Sequence, residues 1–117
     1  MIINDQKKIR EIQKEFNQKF PFLKIEFYTQ EHGDHEGSAS KYEIDENLTI
    51  DDARTKKNEG ELSINANQKV STLEKNFHDI YGLNVQVFRK SGDVWLQTIH
   101  TDDWTLHKQN EKGEASE

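Results

Sequence analysis

The chain has 117 residues, of which 32% are hydrophobic and 32% charged, with a formal net charge of −6 at pH 7. One domain with a modest core accounts for that length, no apolar run approaches the roughly 20 residues of a membrane helix, and the absence of cysteine removes disulfides and thiol nucleophiles. Acidic residues concentrate in 30–61, ten against four basic, and a field of that sign repels phosphates, which disfavours a general nucleic-acid binder.

The N-terminus, Met1-Ile2-Ile3-Asn4-Asp5-Gln6-Lys7-Lys8, lacks the basic-then-apolar layout of a signal peptide. A cytoplasmic location is the default expectation. Ile9, Ile12, Phe16 and Phe20 recur at helical spacing and predict a first amphipathic helix, capped by Asn4 or Asp5 and ended by Pro21. Phe22 to Thr29 alternates, with Leu23, Ile25 and Phe27 on one face, and predicts a half-buried strand.

Residues 30–60 form a polar, acidic insert. Within it Tyr42, Ile44, Leu48 and Ile50 fit a ragged strand, while Thr49 ahead of Asp51 and Asp52 fits the start of a short helix; the helix is preferred. From Glu61 the pattern sharpens into a strand at Leu62 and Ile64, a helix from Val70 to Tyr81 and a stop at Gly82. Ser71 three residues before Glu74 has the spacing of a capping box. A hairpin then runs from Leu83 to Gln97, turning at Ser91-Gly92, with Val94 and Leu96 expected to face the helices and Trp95 the other side. Thr101 with Asp102 and Asp103 marks a last helix start, and residues 111–117 read as a disordered tail. No internal repeat is evident.

The expected fold is a single two-layer α+β domain over residues 1–110. It has the order α-β-β-α-β-β-α and a four-stranded sheet with helices on one face. The run Glu61 to Asn110 resembles ubiquitin-like β-grasp domains, in particular Thr105-Leu106-His107-Lys108-Gln109-Asn110 after Asp102-Asp103. That resemblance implies a β-grasp-like sheet, with a ferredoxin-like arrangement as the alternative. It implies no conjugation chemistry, because the tail lacks a terminal Gly-Gly. The stretch Val85-Gln86-Val87-Phe88-Arg89-Lys90-Ser91-Gly92 to Trp95, with Thr101 to Leu106, is similar to small uncharacterised bacterial α+β proteins and implies no activity.

Two constellations carry chemistry. Glu31, His32, Asp34 and His35 set two imidazoles among carboxylates, a donor set for Zn²⁺ or a similar cation, or else a solvated loop. Trp95, Phe88, Arg89, Lys90 and Tyr28 would gather on the open sheet face, where aromatics beside cations anchor protein partners or stack on bases. The alternative for Trp95 is core packing. His100 beside Asp102 suggests an acid–base pair, but helix capping already explains the aspartate. Neither a G-x-S-x-G elbow nor a phosphate-binding glycine loop occurs. The expectation is a non-catalytic, cofactor-free acidic module that binds a protein partner. A metal-dependent role through residues 31–36 and single-strand nucleic-acid binding are the alternatives.

Overall fold

In the computed structural model, which describes residues 1–29 and 42–116, the elements run β1 (Ile2–Ile3), α1 (Ile9–Lys19), β2 (Leu23–Tyr28), α2 (Ile50–Ala53), β3 (Leu62–Ser63), α3 (Val70–Tyr81), β4 (Asn84–Ser91), β5 (Val94–Gln97) and α4 (Leu106–Ala115). The strands form two sheets, not the single four-stranded sheet expected. β3 leaves the main sheet to pair antiparallel with the N-terminal β1, which at two residues is too short to show any periodicity. The main sheet is antiparallel in the order β2-β4-β5. Beyond β2, Tyr28 and Glu43 form one isolated bridge where a fourth strand would lie.

Helices α1 and α3 bury Ile9, Ile12, Phe16, Val70, Leu73 and Phe77 against Leu23, Ile25, Phe27, Val85 and Val87. The Phe27 and Phe77 rings meet edge-on, with centroids 5.3 Å apart. These stripes are the ones the helical and alternating spacings demand. Helix α1 ends at Lys19, just ahead of Pro21, and Gly82 closes α3 at φ +67°, the left-handed geometry that glycine supplies without strain.

The two halves of the chain repeat one another. Ile3-Asn4, Lys8, Ile12, Lys14, Phe16 and Leu23 of the first half correspond to Ile64-Asn65, Lys69, Leu73, Lys75, Phe77 and Leu83 of the second. Four equivalent turns lead into the four helices, each closed by a backbone bond: Lys7 to Asn4 (3.3 Å), Leu48 to Asp45 (3.1 Å), Gln68 to Asn65 (3.2 Å) and Trp104 to Thr101 (3.0 Å). The turns associate in pairs. Ile9 and Arg10 donate their backbone N–H groups to Leu48 and Glu46, while Ile50 and Asp51 donate to Lys7 and Asp5, at 2.9 Å each. In the second half Val70 and Ser71 donate to Trp104 and Asp102 (3.0 and 2.7 Å), and Leu106 and His107 to Gln68 and Ala66 (2.9 and 3.0 Å).

Strand pairing between the halves is symmetric as well. In the main sheet Glu26 faces Gln86, its own counterpart, and the flanking pairs Ile25–Val87 and Phe27–Val85 exchange roles across that point. Ile2 likewise faces Ser63 in the small sheet. An approximate twofold relation therefore runs through both sheets. The bond from Ile44 N–H to the Phe27 carbonyl (2.8 Å) is matched by that from Thr98 to Val87 (3.2 Å), so residues 42–44 occupy the place of β5 in the first half.

Helix α3 has the expected span, Val70–Tyr81, but the capping of both long helices differs from expectation for one reason. The N-caps of α1 and α3 are Lys8 and Lys69, which make no side-chain capping bond, instead of Asn4 or Asp5 and Ser71. The partner turn supplies the acceptors that a capping side chain would otherwise provide. Thr49 does cap α2, accepting from Asp52 N–H, and its counterpart Thr105 caps α4, so Thr101 to Asp103 are turn and not helix. Residues 111–115, expected as tail, are the final turns of α4: Gly113 is buried, and a Cβ there would lie 2.7 Å from the Phe22 Cβ.

If the halves are equivalent, so are their central phenylalanines, both fully buried. Phe16→Ala and Phe77→Ala should each lower unfolding free energy by about 3–5 kcal/mol, measured by urea denaturation. A large cost at one site and almost none at the other would contradict the shared core.

Candidate functional site

The β4–β5 hairpin turns through Gly92 (φ +58°) and Asp93, pairing Ser91 with Val94, Lys90 with Trp95, Arg89 with Leu96 and Phe88 with Gln97. Alternation puts Val94 and Leu96 on the helix side, as expected, but β5 lies at the sheet margin beyond the helices. Val94 is therefore 55% and Leu96 43% exposed.

Trp95 is half-buried on the other side, and so is Phe88. The Lys24 ammonium lies 4.9 Å from the Phe88 ring centroid and 5.3 Å from that of Trp95, and Lys90 approaches Trp95 from 5.1 Å. Two cations thus lie over one indole, an arrangement favoured by the ring quadrupole. Lys24, which sequence reasoning missed, comes from β2, where it stands opposite Phe88.

Arg89 takes the helix side. Its Nη1 donates to Gln109 Oε1 at 2.8 Å, and Gln109, fully buried, donates in turn to the Thr101 carbonyl (2.7 Å) and hydroxyl (2.8 Å). The guanidinium carbon is 5.6 Å from the Trp104 ring, over which Lys108 also lies at 4.4 Å. The predicted group Phe88, Arg89, Lys90 and Trp95 is therefore split between the two faces of the hairpin. Each face carries a tryptophan flanked by two cations.

Tyr28 does not join that surface: it is 2% exposed, and burial among Glu43 and Glu26 pushes its phenol well above the usual range. Glu26 is also raised, first by burial and then by Glu43, against the opposing effects of Lys24 and of a hydrogen bond from Gln13 Nε2 at 3.0 Å. Its counterpart Gln86 is 1% exposed, and its Oε1 has no hydrogen-bond partner among the described residues. A proton on Glu26 would supply a donor beside it, since directly opposed side chains are within reach of one another.

The proposed cation ligands Glu31, His32, Asp34 and His35 lie outside the described residues. Among the described residues no three His, Asp or Glu side chains converge as a cation site would require. His107 Nε2 lies 3.0 Å from Glu111 one turn along α4. His78 neighbours Asp79, which Lys75 also holds at 2.7 Å.

A surface cavity of about 540 Å³ lies between β1, α2 and residues 57–61, with Asp5, Asp51, Arg54 and Tyr81 in its wall. Arg54 is already committed there. It donates to the Lys56, Asn58 and Ile80 carbonyls (2.6, 3.2 and 3.3 Å), pairs with Asp5 at 3.4 Å and stacks 4.8 Å from the Tyr81 ring centroid. It fastens the connection between the halves to the end of α3.

Scans of family models, curated proteins and solved structures each found no match to the chain. Among the described residues no helix is long and apolar enough to cross a membrane.

Because Glu26 is raised in the folded state, the folded chain holds its proton to higher pH than the unfolded chain. Its contribution is most favourable below the unfolded carboxyl range and is lost as pH rises through the folded value. Glu26→Gln should therefore gain stability relative to the parent chain on going from about pH 4 to about pH 7, read from urea midpoints. A gain that is flat or falls with pH would contradict the burial of this carboxyl.

Proposed function

We propose that the chain is a non-catalytic binding module that engages a protein partner through the β4–β5 hairpin. What supports the reading is one arrangement: a tryptophan between two cations on each face of the hairpin, beside the exposed Val94 and Leu96 of its outer strand. Tryptophan and arginine dominate the energetic centres of protein interfaces, and apolar side chains exposed together mark docking surfaces. The β-grasp-like reading of residues 61–110 belongs to the same proposal, as does a cytoplasmic setting. The acidic residues of 43–61 would set partner choice and association rate.

Phe88, Arg89, Lys90 and Trp95 are assigned to this surface, with Lys24, Trp104 and Lys108 added. A photo-crosslinking amino acid in place of Leu96 should capture a discrete protein in cells, and the same group in place of Gln18, on the exposed side of α1, should not. Equal capture at both positions, or none at Leu96, would remove the assignment.

A further inference from the structure

The outer edge of the hairpin carries a more specific inference. Among the described residues β5 terminates the sheet order β2-β4-β5. Antiparallel pairs alternate between hydrogen-bonded and non-hydrogen-bonded types. Thr98 N–H bonds to the Val87 carbonyl, so the alternation makes Arg89–Leu96 and Ser91–Val94 bonded pairs and Lys90–Trp95 a non-bonded one. The backbone N–H and C=O of Trp95 therefore point away from β4, along the open side of the sheet. That edge is short, four residues, and it carries neither a proline nor a bulge.

We propose, resting on the partner surface assigned above, that this edge takes up an acidic extended segment of a partner protein as an additional strand. The backbone of Trp95 would pair with the added strand, as in other cases of strand addition. Side chains of such a strand alternate between faces. Those on one face meet Trp95, Lys90 and Lys24; those on the other meet Val94 and Leu96, with Arg89, Trp104 and Lys108 behind them. Lys90 and Lys108 have no carboxylate partner among the described residues, and their ammonium groups rest on aromatic rings. The segment that complements both faces alternates carboxylates with apolar residues, its carboxylates on the side of Lys24 and Lys90 and its apolar residues on that of Val94 and Leu96.

A single-stranded nucleic acid would also meet cations and indoles here. It has no peptide backbone to satisfy the edge of β5, and the chain's net charge of −6 opposes a polyphosphate at long range.

The test uses the full chain and a blocked seven-residue peptide alternating glutamate and valine, with tryptophan fluorescence as readout. Three competitors are its lysine–valine counterpart, the same acidic peptide N-methylated at alternate residues, and a short thymidine oligonucleotide. The acidic peptide should bind at least about tenfold more tightly than each of the three, a difference of about 1.4 kcal/mol. Lys90→Glu should narrow the preference for glutamate over lysine while leaving the thermal midpoint close to the parent's. Equal binding of the N-methylated peptide would overturn strand addition, equal binding of the lysine peptide would overturn acidic selection, and tighter binding of the oligonucleotide would overturn both. Capture of a protein at position 96 with no acidic-peptide preference would leave the partner surface standing and remove this inference alone.

Discussion

Every helix begins with backbone N–H groups that no residue of the same helix can satisfy, and the way this chain meets that constraint organises the rest of its structure. Turns leading into α1 and α2 give their carbonyls to each other's helices, and the turns leading into α3 and α4 do the same. Each helix thereby becomes the fixed partner of another. Ile50 of α2 and Leu106 of α4 are carried into the core, although α2 has only four residues and no independent stability. Each pairing also sets where its long helix starts, which in turn sets the stripe that meets the sheet. The two halves join by pairing equivalent strands, β1 with β3 and β2 with β4.

Much of this was legible in the sequence wherever a side chain reports its own environment. The stripes of α1 and α3, the alternation of β2 and β4, the glycine stop at Gly82 and the threonine cap of α2 follow from local spacing and local chemistry. What escaped was carried by the backbone or by distant residues. Lys8 and Lys69 are poor capping residues, so side-chain chemistry points to Asn4, Asp5 and Ser71 as caps, although α3 has the span its spacing predicts; the first N–H groups of both helices find carbonyls about 30 to 40 residues further along the chain, in a pairing that only backbone accounting reveals. β1 is two residues long. The internal repeat was hidden because the connection after β2 is long while its counterpart is the tight turn at Gly92-Asp93, and because the identical positions are few and scattered among dissimilar ones.

The candidate site was legible in composition and not in geometry. Phe88, Arg89, Lys90 and Trp95 were named from the hairpin pattern, and the hairpin does present them. Lys24 and Trp104 joined them only through the register of β2 on β4 and the packing of α4. Tyr28 was lost from the group because strand alternation gives the face of a residue and not the depth at which it is covered. The repeat gives the site its context: at the equivalent of Gln97 the first half has Glu43, and where the described residues of the first half form a bridge, the second extends a regular strand on which the backbone of Trp95 faces outward.

Amide hydrogen exchange followed residue by residue tests the paired turns and the open edge together. The N–H groups of Ile9, Arg10, Ile50 and Asp51, and of Val70, Ser71, Leu106 and His107, should exchange as slowly as the interior of α1 and α3, although helix N-termini ordinarily exchange fast. Trp95 should exchange rapidly between slow neighbours at Val94 and Leu96. Rapid exchange throughout the eight helix-start amides would contradict the reciprocal turns on which the fold depends, and a slow Trp95 would contradict the open edge.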